Sequence, residues 1–202
     1  MIHKHLNNYG FIEDKLPENL FKNLLKEALN FKDLKERTTG LTGDGVPPAY
    51  TITNEENLKN LNLFLSNLVT NFEDYFKYLK SIQLLTDNVP LFFGKPWVNI
   101  QKKGEFIPLH NHAGLYSYTI WLKMPYDLQK EIKNSKFATA FTFSYSTILG
   151  TTANHKIFLD KNDEGKIILF PSNLQHLVYP FLKSDDIRIS LSGNIFLDTR
   201  KL

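Results

Sequence analysis

From Trp97 to Leu197 the chain is cut into short β-type stretches separated by turn signals, with no long helix to join them. Trp97-Val98-Asn99-Ile100-Gln101 alternates, and Tyr116 to Leu122 is aromatic and β-branched. Phe137 to Leu149 reads as one long strand or two short ones, and Lys156 to Leu159, Lys166 to Phe170, Leu177 to Phe181 and Ile187 to Leu197 follow. Gly104, Gly114, Gly150, Asn162 to Gly165, Pro171-Ser172 and Lys183 to Asp186 mark the turns between them. Parallel neighbours need long crossover connections, usually helical, so this half predicts an antiparallel sandwich or barrel. Asp127 to Lys133 alone suits a short helical insertion.

Before residue 90 the period is helical. Leu20, Phe21, Leu24, Leu25, Ala28, Leu29 and Phe31 form an apolar stripe within Leu16 to Leu34, with Pro17-Glu18 suited to a first turn. Thr39 to Pro48 reads as a loop. A second helix is expected from Asn54 to about Leu85, capped by Thr53 or Asn54 and ending near Thr86-Asp87-Asn88. Leu61, Leu63, Leu65, Leu68, Val69, Phe72, Tyr75, Phe76 and Leu79 supply its apolar face. At 202 residues, one domain is expected: a helical support region (1–90) and a β core (91–202). The absence of cysteine excludes disulfides, thiolate metal sites and cysteine nucleophiles. A net charge of +3, with the basic residues scattered, does not support nucleic-acid binding. The polar start, Met1 to Asn8, predicts no signal peptide, and no apolar run reaches membrane-spanning length, so a soluble, cytoplasmic protein is expected.

The chain has six histidines. His110 and His112 flank Asn111, and on an extended chain residues i and i+2 share a face, so both imidazoles can reach one metal ion. The plainer reading is two surface histidines beside a turn. His176 opens an apolar strand in FPSNLQHLVYPF and suits either a third ligand or a rim histidine. The next strand alternates, with Ile187, Ile189, Leu191, Gly193 and Ile195 on one face and Arg188, Ser190, Ser192, Asn194 and Phe196 on the other. Its polar face lies in water or lines a pocket. A hairpin at Lys183 to Asp186 is expected to set Arg188 opposite Phe181. Arginine grips carboxylates bidentately, and hard nitrogen and oxygen ligands with open positions suit non-haem Fe(II). A 2-oxo acid would then chelate the metal and rest its far carboxylate on Arg188. Asn99 and Gln101 share a strand face and either line the pocket or face solvent. Ser117 and Tyr118 suit core or cross-strand packing, with contact of one of them to the co-substrate as the other reading, Asn194 a pocket or backbone hydrogen bond, and Trp97 the core. His155, His3 and His5 suit the surface.

Four segments, WVNIQKKGEFIPLHNHAG, YSYTIWLKMPYDLQKE, EGKIILFPSNLQHLVYPF and DIRISLSGNI, resemble the Fe(II)/2-oxoglutarate-dependent oxygenases, specifically a group of small oxygenases encoded by tailed phages of marine bacteria. They cover most of residues 97 to 196. The resemblance implies a mainly β, α+β fold: a double-stranded β-helix (jelly roll) with N-terminal helices packed on it. By position, His110 resembles the first metal ligand and His176 the distal one, and Arg188 and Ser190 the Arg-x-Ser pair that holds 2-oxoglutarate. Asn99 is taken as a further co-substrate contact. The wider superfamily has His-x-Asp or His-x-Glu, whereas this chain has His112, which leaves the site one unit more positive. Glu105, Asp185 and Asp186 are the candidate acids for restoring a carboxylate, none of them at a convincing spacing. The implied enzyme uses Fe(II), 2-oxoglutarate and O₂ to hydroxylate an unidentified protein side chain, nucleobase or small metabolite, in the host cytoplasm if phage-encoded. The alternatives are a cupin-type three-His dioxygenase without 2-oxoglutarate and a non-enzymatic jelly-roll interaction module. The helices before residue 90, or the Tyr126 to Lys136 insertion, are expected to cover the mouth.

Overall fold

A strand cannot leave its ladder groups unpaired, and here nearly every strand finds antiparallel neighbours distant in sequence. The computed structural model describes residues 8–37, 41, 43–82, 90–133 and 135–198. In chain order these form β1 (Ile12–Lys15), α1 (Glu18–Leu29), β2 (Lys35–Arg37), β3 (Ala49–Thr51), α2 (Glu55–Phe76), α3 (Tyr78–Ser81), β4 (Leu91–Phe93), β5 (Trp97–Gln101), β6 (Ile107–His110), β7 (Tyr116–Lys123), α4 (Leu128–Ile132), β8 (Phe141–Ser146), β9 (Thr152–Ile157), β10 (Lys166–Pro171), β11 (His176–Val178) and β12 (Arg188–Leu197). The large sheet runs β1-β10-β7-β12-β5-β3-β2, with β4 also on β12; the small sheet runs β6-β11-β8-β9. The fold is mainly β, as expected.

Strand alternation sorts the side chains of the large sheet into two layers. Its outer face carries Val98, Ile100, Tyr118, Ile120, Leu122, Ile167, Leu169, Ile189, Leu191 and Ile195, and α1 and α2 bury Leu20, Leu24, Leu61, Leu65, Leu68 and Phe72 against them. Gly193 sits on this face where a Cβ would fall 2.3 Å from the Tyr118 hydroxyl oxygen, so no larger residue fits under that ring. The inner face meets the small sheet through Trp121, Ile168 and Phe170 on one side and Phe141, Phe143, Ile157 and Val178 on the other.

Several expectations need correction. α1 ends at Leu29, and a single 3₁₀ turn, Phe31–Asp33, follows it. α2 is capped by the Asn54 side chain as expected, but Lys77 adopts a left-handed conformation (φ 52°) and breaks the helix before α3. Leu63 and Tyr75 are exposed and do not belong to its buried stripe. The stretch before residue 90 is not purely helical, because β1, β2 and β3 all join the large sheet. Only Phe141–Ser146 of the Phe137 to Leu149 stretch forms a strand. The expected hairpin between the last two strands does not form. β11 pairs β6 and β8, whereas β12 pairs β4, β5 and β7, so the connection crosses between sheets and Arg188 lies opposite Gln101. The expected end of the second helix, His3 and His5 lie outside the described residues. No helix is long and apolar enough to cross a membrane, among the described residues.

Candidate metal centre and its pocket

His110 closes β6 and His176 opens β11, and the two are direct cross-strand partners. His112 follows two residues beyond the end of β6, where its backbone N–H donates to the Ser172 carbonyl at 3.0 Å. Ring centroids are 4.2 Å apart for His110 and His176, 4.8 Å for His110 and His112, and 5.0 Å for His112 and His176. One nitrogen from each ring lies within 4.8 Å of the other two. Nδ1 of His110 is 2.7 Å from the Pro108 carbonyl, and Nδ1 of His176 is 3.0 Å from the Leu174 carbonyl. Both carbonyls require an N–H there, which turns each Nε2 into a free lone pair. His176 is also held between apolar rings, stacked on Phe141 at 5.3 Å and edge-on to Phe170.

Burial keeps these imidazoles neutral. It pushes His176 down to about 3 and His112 to about 4, with His110 as a second cause for both and the Arg37 charge a third for His112. His110 is lowered by burial as well, against an opposing pull from its Pro108 hydrogen bond. Three neutral nitrogen donors, oriented from behind and without thiolates, form a donor set that fits Fe(II). None of the candidate carboxylates joins them. Glu105 accepts from the Lys102 backbone, Asp185 pairs with Lys103 and Asp186 with Lys123, and none lines the cavity.

The cavity in front of the histidines measures about 350 Å³. Its floor is the polar inner face of the large sheet: Asn99 on β5, Thr119 on β7, and Arg188, Ser190, Ser192 and Asn194 on β12. The pocket reading of the alternating β12 face therefore holds. Asn194 accepts from Ser117, whose hydroxyl also meets Ser172, and Thr119 meets Ser192. Tyr118 points the other way into the core, and His155 is exposed, both as expected. Trp97 is buried as expected, and it also walls the cavity, its ring 5.6 Å from that of His112.

Arg188 is buried at 2 % exposure. Its Nε and Nη2 donate to Gln101 Oε1 at 3.0 and 2.6 Å, and Nη2 also donates to the Tyr179 carbonyl at 2.9 Å. Nη1 donates to the Thr139 carbonyl at 3.2 Å and the Tyr126 hydroxyl at 3.3 Å. Every one of these partners is neutral. Gln101 is thus not a wall residue but the clamp of Arg188, a role alternation alone does not reveal.

The expected cover also differs. α1 and α2 pack on the outer face of the large sheet, away from the histidines, and Tyr126 sits behind Arg188. The cavity is instead lined, beyond the two sheets' facing strands, by Arg37, Leu41, Val46 and Pro47. Nothing in the Gly- and Pro-rich sequence around them points to a pocket.

Residues 95–194 match the family model described as "Putative 2OG-Fe(II) oxygenase". No curated protein sequence matches the chain. Among solved structures, the fold is similar to a Pseudomonas putida prolyl-4-hydroxylase (TM-score 0.62, 15 % identity, 94 % of this chain and 93 % of that one). It is also similar to the viral collagen prolyl hydroxylase of Paramecium bursaria Chlorella virus-1, solved with 2OG (0.55, 13 %, 92 % and 94 %). A third likeness is HygX of Streptomyces hygroscopicus, solved with nickel, 2-oxoglutarate and hygromycin B (0.58, 11 %, 95 % and 84 %). With the matched segment carrying all three clustered histidines and the fold around them shared, the chain is a 2-oxoglutarate/Fe(II)-dependent oxygenase.

Proposed function

We propose that this oxygenase hydroxylates a C–H bond, with Fe(II) held by His110, His112 and His176 and the far carboxylate of 2-oxoglutarate held at Arg188. The fold reading that accompanies it is the double-stranded β-helix, supported by the two antiparallel sheets that enclose the site. The observation that carries the proposal is a pairing of charges. Three neutral imidazoles and a buried guanidinium with neutral partners line one small cavity, so the protein supplies cationic demand and no anion to meet it. A dicarboxylate that chelates at one end and ion-pairs at the other meets both demands. The bound metal, with 2-oxoglutarate and O₂, supplies the oxidising chemistry.

The chain's own residues position and exclude. The Pro108 and Leu174 carbonyls aim the imidazoles, Gln101 fixes the guanidinium plane, and Ser190 and Asn99 offer hydrogen bonds along the cavity floor. Phe141, Trp121 and Val178 keep that wall apolar. A Trichoplax adhaerens prolyl hydroxylase of similar fold was solved in complex with a peptide fragment and HygX with hygromycin B, so a peptide side chain and a small molecule are both substrate classes in keeping with the fold.

The test is anaerobic titration with Fe(II) and then 2-oxoglutarate, following the visible charge-transfer band of the chelate. We expect a band that His176→Ala abolishes and that Arg188→Ala moves to at least about tenfold higher co-substrate, a cost of about 1.4 kcal/mol. Fe(II) binding without a band would favour a three-His dioxygenase whose substrate carboxylate rests on Arg188. No metal binding would leave an interaction module.

A further inference from the structure

The antiparallel register carries one more cation to this cavity. Arg37 on β2 pairs with Ala49 on β3, Ala49 with Asn99 on β5, Asn99 with Ser190 on β12, and Ser190 with Trp121 on β7. Directly opposed residues share a sheet face, so Arg37 ends the same cross-strand row that floors the pocket. Three strand spacings separate it from Ser190, about 14 Å. Its guanidinium carbon stands 4.4 Å over the Trp97 ring, and Nη1 donates to the Lys95 carbonyl at 3.1 Å. Trp97 in turn faces His112 at 5.6 Å. Arg37, Trp97 and His112 thus follow one another, and Arg188 lines the same cavity opposite Gln101, four residues along β5 from Trp97.

Resting on the oxygenase reading above, we infer that Arg37 is the substrate-recognition residue, and that the substrate bears an oxyanion, a carboxylate or a phosphate, which Arg37 grips while the adjoining carbon is presented to the metal. Two features of Arg37 support this. First, its partners among the described residues are a carbonyl and a ring, neither of them anionic. Stacking on Trp97 orients the guanidinium plane without consuming its N–H donors, which leaves a fork preorganised for a bidentate acceptor. Second, Arg37 stands over Trp97 whereas Arg188 lies opposite Gln101, four residues or about 13 Å further along β5, too far apart for one five-carbon dicarboxylate to serve both. Each cation thus calls for its own anion. With the cavity at about 350 Å³, the low end for a ligand site, a co-substrate leaves room for a small molecule or a single side chain rather than a folded segment.

Both tryptophans of the chain, Trp97 and Trp121, line this cavity, so intrinsic fluorescence reports its occupancy directly. The experiment loads the protein anaerobically with Fe(II) and saturating 2-oxoglutarate. It then titrates acetate, inorganic phosphate and neutral acetamide at constant ionic strength, in the native chain, Arg37→Gln and Arg37→Lys. We expect a saturable response to acetate or phosphate and none to acetamide. The dissociation constant should rise at least tenfold in Arg37→Gln and less in Arg37→Lys, with 2-oxoglutarate affinity unchanged in both. The tighter of the two anions names the substrate group. No saturable response in the native chain, or one that Arg37→Gln leaves intact, overturns the inference. So does an Arg37→Gln that weakens 2-oxoglutarate as much as Arg188→Gln does, since Arg37 would then belong to the co-substrate site. Repeating the titration on metal-free protein keeps the two readings apart. Failure to load Fe(II) counts against the proposed function, while the anion response of Arg37 is still measured.

Discussion

Gln101 decides what charge the deep end of the pocket offers. Its single side-chain oxygen accepts from two nitrogens of Arg188, a geometry a carboxylate would match, yet glutamine leaves the guanidinium charge uncompensated. Gln101→Glu inserts a resident anion where 2-oxoglutarate is proposed to place its own. The variant should fold, since a buried, hydrogen-bonded charge pair replaces a buried charge, at the cost of the hydrogen bond that the Gln101 amide donates to the Glu105 carbonyl. Its 2-oxoglutarate dissociation constant should rise at least about tenfold, or about 1.4 kcal/mol, by anaerobic fluorescence titration, while Fe(II) binding stays as before. An unchanged constant would mean that the co-substrate carboxylate rests elsewhere. The same comparison shows why the residue scale was only partly legible. Arg188, Ser190 and Asn99 follow from period-two alternation, but Gln101 and Asn99 lie on the same face of β5, and alternation cannot say that one clamps an arginine while the other faces the cavity.

At the level of elements, α2 is held by a residue of another helix. One Glu27 oxygen on α1 accepts from the backbone N–H groups of Thr53 and Asn54, and the other from the Asn57 amide, just where α2 begins. A carboxylate at a helix N-terminus meets both the open donors and the positive end of the dipole. Glu27→Ala should lower stability by about 1 to 3 kcal/mol, read from the urea midpoint, without changing Fe(II) affinity, because α1 and α2 pack on the opposite side of the sheet from the histidines. At the other end Lys77 holds φ at 52°, and Lys77→Gly should raise stability by roughly 0.5 to 1 kcal/mol. A midpoint lowered by the glycine would show that Lys77 is kept for its side chain. The long helices were readable because a 3.6-residue period repeats several times within them. β1 to β4, at three or four residues each, contain at most two full periods of alternation and leave no such trace. The crossing from β11 to β12 was misread because a tight hairpin and a change of sheet use the same turn residues. Only the pairing partners, far away in sequence, distinguish them.

The whole molecule pays for its metal site in acid sensitivity. In the folded chain without metal, burial holds His176 neutral to about 3 and His112 to about 4, whereas both take up a proton near 6.5 once unfolded. Above pH 6.5 neither state is protonated, and the histidines leave stability flat. Below it the unfolded chain binds more protons than the folded one, so stability falls as pH drops, by about 1.4 kcal/mol per pH unit for each such imidazole, until the folded values are reached. Fe(II) held at the proposed site by the folded state alone would offset this loss, by about 2.7 kcal/mol at a hundred times its dissociation constant. His176→Phe separates the two effects. The ring sits among Phe141, Phe143 and Phe170, so a phenyl group suits its surroundings, but it neither ligates nor titrates. This variant should lose Fe(II) binding and, relative to the metal-free native chain, lose about 2 kcal/mol less stability between pH 7 and pH 5 in denaturant titrations. Equal pH slopes for the two proteins would show that His176 titrates in the fold as it does in the unfolded chain, and that burial does not hold it neutral.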